Sequence, residues 1–384
     1  MINNFISLIL RQLQKKWVFK KYEKKKILVL DRSIKLDLLR GEFYQIKKNE
    51  LNFLLIFELL FKKFSFSKKI KDLSFVESYY YLLISKINPK ILIGHECDIL
   101  PFKIKVFFPD KILILFQFAS YNNIYKKAAK IRHLKHARQN DGKIKVDYFC
   151  VFDEWHQNFF DYFDTKFLIT GSVKNNSIPV VKSPKKNDIL IISEFREKIK
   201  SYHGTNNNVS TMRLSDVCIS YISKITNEYC KKNKKKISIA FVSNRNDKKY
   251  KGKDFRKNEI DFFKRDIENL KEENKDSITL AAESEMSICL ASNLGPELLS
   301  RGEKVLFLNI HHFVLPWYFL PDKSGPFWYQ GQNAEIIKEK IEYLLSLSES
   351  KWKETLAKNK IHMKFDSGNS ILKKKIEDIL DEKE

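Results

Sequence analysis

The sequence predicts an α/β protein made of two parallel-sheet, Rossmann-like domains in tandem. Three observations carry that prediction. Short apolar runs bounded by polar turns alternate with longer stretches of helical period along the chain. Polar residues follow several of these runs, as in Gly94-His95-Glu96, Asp153-Glu154 and Gly171-Ser172, and open parallel sheets gather ligands at that edge. A stretch with Pro179, Pro184 and a lysine cluster, Ser177 to Asp188, divides the series near its middle. The 384 residues fit two domains of ordinary size, and a hydrophobic fraction of 43% supplies a core for each.

The elements follow in order. Ile27 to Leu30, ending at Asp31, reads as a buried first strand. Leu51 to Phe66 reads as a buried helix, and Phe75 to Ile87 as a second helix closed by Asn88-Pro89. Lys90 to Gly94 is a strand, Pro101 to Phe108 a helix, and Lys111 to Gln117 a third strand. Asn122 to Lys145 is basic and carries His133 and His136 on a helix. Tyr148 to Phe152 and Lys166 to Thr170 complete the first series. The second begins with the strand Ile189 to Ser193 and the helix Ser215 to Lys231. The strand Ile237 to Val242 and the helix Asn258 to Leu270 come next. Short strands are expected at Ser277 to Leu280, Met286 to Leu290 and Val305 to Leu308. Helices at Ile336 to Leu347 and Trp352 to Lys358 precede a charged closing helix. The expected boundaries are 1–182 for an N-terminal acceptor-side domain and 183–345 for a nucleotide-binding domain. Helices over 346–384 are expected to pack back on the first domain.

Charge and cysteine content narrow the classes. Lys and Arg number 71 against 47 Asp and Glu, a net charge of +24, which favours anionic partners such as nucleic acid, anionic lipid or phosphorylated substrates. The cations are mostly lysine, and codon usage in an AT-rich genome gives the same bias. The five cysteines are scattered without a C-x-x-C pair, so a reducing, cytoplasmic setting is the simplest. No apolar run reaches bilayer-spanning length. Phe5, Ile6, Ile9, Leu10, Leu13 and Trp17 lie near helical spacing beside a basic stretch. Such a helix either rests on an anionic membrane surface or docks on its own domain.

Several segments could carry chemistry. Between two expected strands stands Ser292-Asn293-Leu294-Gly295-Pro296-Glu297, closed by Arg301-Gly302. Gly295 permits a tight loop, Pro296 suits a first helical turn and Gly302 a helix end. The helix start would offer N–H groups to a nucleotide phosphate, Ser292 and Asn293 would add donors, and Glu297 would accept from ribose hydroxyls. Gly171-Ser172-Val173-Lys174-Asn175-Asn176 follows a strand, so Ser172 and Lys174 could hold an anionic group. Asp153 and Glu154 leave a strand end as a candidate base or nucleophile, with Glu194 and Glu283 next in line. Glu194 and Arg196 follow one strand of the second series, and Ser243 and Arg245 another. Each of these features also has an ordinary reading as a cap, a turn or a solvated charge. No G-x-S-x-G, Walker A or G-x-G-x-x-G sequence is present, no D-x-D sequence stands in a suitable loop, and the histidines show no metal spacing. Hydrolase, ATPase, dehydrogenase and metal-dependent transferase readings lose their main support, and neither a cofactor nor a metal is expected.

The order of these motifs resembles the bacterial surface-carbohydrate biosynthesis proteins related to retaining β-Kdo glycosyltransferases. The resemblance rests on Ile191-Ile192-Ser193-Glu194-Phe195-Arg196, the Ser292 to Glu297 loop with Arg301 to Val305, Pro321 to Trp328, and the helix to Trp352. Val151-Phe152-Asp153-Glu154 and Gly171 to Asn176 add to it. Asn293 and Pro296 depart from the family's Ser-Thr-Leu-Gly-Tyr-Glu, and the third strand ends Gln117-Phe118-Ala119 where the family's Gln-Asn-Gly is expected. The resemblance implies a GT-B-like fold, two Rossmann-like domains facing a central cleft. It also implies a CMP-activated sugar donor such as CMP-Kdo, a glycan or lipid-linked glycan acceptor, and transfer without a metal. A CMP-sialic acid or CDP-glycerol donor is the alternative within the fold. A nucleic-acid-binding protein or an inactive membrane-docked scaffold is the alternative outside it; no RRM, KH or helix-turn-helix signature supports specific nucleic-acid binding.

Overall fold

A computed structural model describes residues 16–19, 21–30, 43–45, 50–64, 74–120, 123–134, 139–140, 143–180, 183–195, 208–244, 253–310, 320, 323–359 and 364–382. The chain divides into two compact units, Met1–Pro179 with Lys364–Glu384, and Val180–Met363. The first unit opens with β1 (Lys16–Val18), β2 (Ile27–Val29), β3 (Phe43–Gln45) and β4 (Glu50–Asn52), which runs into helix α1 (Phe53–Phe64). Helix α2 (Phe75–Ile87), β5 (Ile91–His95), α3 (Leu100–Phe107), β6 (Ile112–Phe116) and α4 (Asn123–Leu134) follow. Then come β7 (Gln139–Asn140), β8 (Lys143–Val151), α5 (Glu154–Phe159), β9 (Phe163–Ile169) and α6 (Val173–Asn176). The second unit begins with β10 (Asn187–Ile192), α7 (Asn208–Asn233), β11 (Ile237–Ala240), a 3-10 turn at Val242–Asn244 and α8 (Lys253–Lys264). It continues with α9 (Ser277–Ala282), β12 (Ser284–Cys289), α10 (Leu294–Ser300), β13 (Val305–Asn309), β14 (Ser324–Gly325), β15 (Trp328–Gln330), α11 (Ala334–Ser346) and α12 (Glu349–Lys358). Helix α13 (Ser370–Asp381) returns the chain to the first unit.

The main sheet of the first unit has the order β3-β2-β5-β6-β8-β7, with β9 paired to β8. Its ladders are parallel except that of β7 with β8. Side chains alternate between two cores, as the strand period of two requires. Leu28, Leu92, Leu113, Leu115, Phe149 and Val151 share one core with α1, α2 and α3. Ile27, Val29, Ile91, Ile93, Ile114, Phe116 and Cys150 share the other with Leu372, Ile376 and Ile379 of α13. The last helix of the sequence therefore closes one face of the first sheet.

The second sheet has the order β11-β10-β12-β13-β15-β14 and is parallel apart from the β14–β15 pair. One core of aliphatic and aromatic side chains serves it. The two parallel, helix-covered sheets are the Rossmann-like pair expected of the sequence.

Local rules explain most element ends. Ser74 and Glu77 cap α2 reciprocally, with N–H to side-chain distances of 3.3 and 2.8 Å. Asn88 closes that helix at φ 49°, just before Pro89. Ser277 to Leu280, read as a strand, is instead the first turn of helix α9. Asp276 accepts N–H bonds from Ile278 and Thr279 at 3.1 and 3.0 Å, and a short apolar run follows whichever signal caps it. Trp17, read on a helical spacing, stands in β1, paired with Leu51 of β4. The rest of that N-terminal spacing, with Asp31, His136, Arg196, Arg245, Pro321 and Asp322, lies outside the described residues.

Candidate functional site

At the C-terminal edge of the second sheet, three strand ends are tied together by two carboxylates. Glu259 of α8 is wholly buried. It accepts the Ser193 hydroxyl at 2.5 Å and the backbone N–H groups of Val242 and Ser243 at 2.8 and 2.9 Å. A buried carboxylate needs such donors, and here they fix the end of β10 against the turn after β11. Glu194, one residue beyond Ser193, accepts the Ala291 N–H at 2.5 Å and so joins β10 to the loop after β12. The structure thus brings Glu194 and Ser243 to the edge where the Ser292 to Glu297 loop begins.

That loop is more strongly packed than its composition suggests. Leu294, Gly295 and Pro296 are buried, while Ser292, Asn293 and Glu297 are half-buried. A Cβ on Gly295 would lie 2.4 Å from Cys289 Sγ and 2.9 Å from a Phe307 ring carbon, so this glycine lets α10 approach the sheet. The Gly295 N–H donates to the Ser292 carbonyl at 3.0 Å. Gly302, at φ 85°, ends α10 in a Schellman pattern: its N–H reaches Leu299 O at 3.0 Å and that of Glu303 reaches Leu298 O at 3.1 Å. Trp352 locks this turn through an indole N–H bond to Gly302 O at 2.8 Å. Burial, with the Glu194 charge adding to it, pushes the Cys289 thiol well above its ordinary range. Among the described residues, two side chains on the same edge hold buried polar atoms without a hydrogen-bond partner: the Ser243 hydroxyl and both ends of the Asn309 amide, at the close of β13. Such groups call for an explanation, and a ligand is one.

The corresponding edge of the first sheet is also built on capping and bridging side chains. Asp153 is the N-cap of α5 and accepts the His156 N–H at 2.9 Å and the His156 ring nitrogen Nδ1 at 2.8 Å. His156 is buried, and burial lowers its basicity while Asp153 opposes that shift. Glu154 begins the helix and is exposed. Gln117 bridges the neighbouring strand ends: its carbonyl accepts the Phe152 N–H at 3.0 Å and its amide donates to Ala119 O at 2.8 Å. Glu96, wholly buried, accepts the Phe118 N–H at 2.8 Å and the Cys97 thiol at 3.5 Å. The donor atoms of His95, Glu96 and Cys97 lie within 4.8 Å of one another, a cluster that histidine spacing did not signal.

The Gly171 to Asn176 segment has a structural task. Ser172 caps α6 by accepting the Asn175 N–H at 3.2 Å. Gly171, at φ 74°, bridges to Phe365, and a Cβ there would lie 2.1 Å from Lys364 O. Asn176 accepts the Asp366 N–H at 3.1 Å, and Asn369 donates to Val173 O at 3.0 Å. The segment therefore seats the chain that leads into α13. Lys174 alone of this group is exposed, with its ammonium 5.9 Å from the centre of the Phe118 ring. Glu283 stands at the opposite edge of the second sheet, before β12. Lys186 and then Lys275, each 2.6 Å away, hold its carboxyl below the ordinary range. An edge away from the strand C-termini and two ion pairs make it a structural acid.

Two helix-flanked parallel sheets with bridged C-terminal edges define a Rossmann-like pair of the kind found in GT-B glycosyltransferases and sugar-nucleotide epimerases. A family model described as "putative O-antigen biosynthesis protein" matches residues 122–380, and the chain belongs to that family. Solved structures agree on the fold. A "putative UDP-N-acetylglucosamine 2-epimerase from Listeria monocytogenes" is similar at 11% identity and a TM-score of 0.55, over 94% of this chain and 98% of that one. The "Glycotransferase of kitacinnamycin" is similar at 10% identity and a TM-score of 0.52, over 94% of this chain and 100% of that one. No curated protein matches the sequence. Among the described residues, no helix is long and apolar enough to cross a membrane.

Proposed function

We propose that this protein is a glycosyltransferase of surface-polysaccharide biosynthesis that takes a sugar from a CMP-activated donor, CMP-Kdo by resemblance, without a metal. The acceptor is a glycan or lipid-linked glycan, met at the cytoplasmic face of the inner membrane. Membership of an O-antigen biosynthesis family supports the pathway class, and the fold supports nucleotide-sugar chemistry. The observation that carries the donor site is the edge of the second sheet, where Glu194, Ser243, Asn309 and the Ser292 to Glu297 loop converge with unsatisfied polar atoms. Ser292, Asn293 and Glu297 would meet the nucleotide, with Leu294 and Gly295 shaping the loop. Ser243 and Asn309 would hydrogen-bond it, and Arg245 and Arg196 would reach its phosphate. Ser172 and Lys174 belong to the sugar or acceptor side. Asp153 or Glu154 supplies the carboxylate that a retaining double displacement needs.

Thermal shift against CMP, CDP, UDP and GDP tests the donor, because a bound nucleotide stabilises by mass action. CMP should raise the melting temperature most, and Glu297→Ala should weaken its binding by roughly 1–3 kcal/mol. A dominant response to UDP would remove the CMP assignment. Unchanged CMP affinity in a folded Glu297→Ala protein would remove the site.

A further inference from the structure

Helix α1 is apolar on nearly every side. From Phe53 to Phe61 its sequence holds a single charge, Glu58. Leu55 and Leu59, four residues apart, are sealed into the core of the first unit. Phe53, Phe57 and Phe61 repeat at the same interval on the outer side, 39%, 52% and 59% exposed, with Leu54 and Leu60 at 43% and 46%. Phe19, 72% exposed, lengthens this row. Its ring centre lies 4.9 Å from that of Phe53, which lies 6.4 Å from Phe57, itself 4.5 Å from Phe61. Isolated exposed apolar residues are ordinary, but a continuous ladder of large ones marks an interaction surface.

The charge carried in sequence on both sides of the ladder identifies the occupant. Glu58 is paired with Lys86 at 3.1 Å. Phe19 lies in a stretch carrying Lys15, Lys16, Lys20, Lys21, Lys24, Lys25 and Lys26 against Glu23 alone. Lys21, two residues from Phe19 and therefore within ~7 Å of it along the chain, is exposed, as are Lys24 and Lys26. Beyond Phe61 the sequence runs to Lys62, Lys63, Lys68, Lys69 and Lys71. A second copy would bring the same positive charge to this face, on a chain already at +24. Nucleic acid would meet the lysines but leave the phenyl ladder in water. An anionic bilayer satisfies both, taking rings into the headgroup boundary and lysines onto lipid phosphates.

We infer that α1 and Phe19 form the surface by which the protein docks on an anionic phospholipid membrane. This deepens the membrane-side part of the reading above and is independent of the donor. Flotation of the full chain with vesicles reads docking, and nucleotide thermal shift reads the donor, so either can fail alone. The protein should float with phosphatidylcholine vesicles containing phosphatidylglycerol and not with phosphatidylcholine alone, and added salt should release it. Phe57→Ser with Phe61→Ser should lower vesicle partition at least ~tenfold, while Phe57→Leu with Phe61→Leu retains it and nucleotide binding is unchanged. If the serine pair melts early, Lys21→Glu with Lys24→Glu carries the same test on the charge side. Wild-type protein that ignores both vesicles, or floats equally well with the serine pair, overturns the inference. So does a dimer in light scattering that the serine substitutions abolish.

Discussion

At the residue scale, acids and histidines divide between holding the fold and facing solvent. His133 shows the first case: it is buried, with Tyr162 OH 3.0 Å from its Nδ1 and Arg132 3.3 Å from its Nε2. Burial, then the Arg132 charge, lowers its pKa from 6.5 to about 4. The folded state thus keeps the ring neutral where the unfolded chain already takes a proton. Its contribution to stability is present above pH 6.5 and is lost as pH falls towards about 4. Urea unfolding should show that loss, on the order of 3 kcal/mol at most, and His133→Asn should flatten the slope in this window. A variant with the wild-type slope would place the titrating group elsewhere. Asp153 and Glu154 give a sharper test, because the cap separates structure from chemistry. Asn caps helices about as well as Asp, so Asp153→Asn should keep α5 while removing the charge beside His156. If the pair supplies the nucleophile, Asp153→Asn or Glu154→Gln should lower turnover by orders of magnitude while the CMP thermal shift persists. Wild-type turnover in both would move the catalytic carboxylate to another acid, with Glu194 at the edge of the second sheet the next candidate.

At the element scale, alternation within β2, β5 and β6 sends leucines to one face and isoleucines to the other. The isoleucine face needs a cover, and α13 provides it with Leu372, Ile376 and Ile379, spaced four and three apart and wholly buried. Ile376→Ala should cost about 2–5 kcal/mol, the usual price of a large-to-small change in a packed core. Denaturant unfolding of the full chain measures it, and a change below ~1 kcal/mol would mean that α13 is loosely held. The Gly171 to Asn176 segment belongs to the same account. Its asparagines are buried because they receive the return of the chain, and Asn176 meets Asp366 across 190 residues of sequence.

At the scale of the whole molecule, two sheets each offer a C-terminal edge, and neither edge is a simple list of polar residues. Glu259 and Glu194 on the second, and Gln117 and Glu96 on the first, spend their acceptors on backbone N–H groups. That bracing holds strand ends still, as the proposed donor site would require. If basic side chains take the place of a metal at the leaving phosphate, as the proposed function requires, transfer from the proposed CMP-sugar should survive EDTA. Complete loss on chelation, restored by magnesium or manganese, would overturn metal-independent transfer and turn attention to the His95, Glu96 and Cys97 cluster.

The sequence by itself determined the central strands of both sheets, the two ends of α2 and the class of fold. Apolar alternation in Ile27 to Leu30, the Ser74 to Glu77 box and the Asn88-Pro89 stop act over a few neighbouring residues, so they are visible in order along the chain. It also marked Asp153 as a strand-end acid and Ser292 to Glu297 as a loop at a strand–helix junction. Tertiary structure decided what those groups touch. Glu259 and Asn309 carried no local signal, because a carboxylate's donors and an amide's lack of partners depend on which strand ends stand side by side. Ser277 to Leu280 became helical through the Asp276 cap, and Gly171 is required by the close approach of the Lys364 carbonyl. Short-range sterics and hydrophobic period are written residue by residue, whereas hydrogen-bond satisfaction in a buried edge is settled only when distant segments meet.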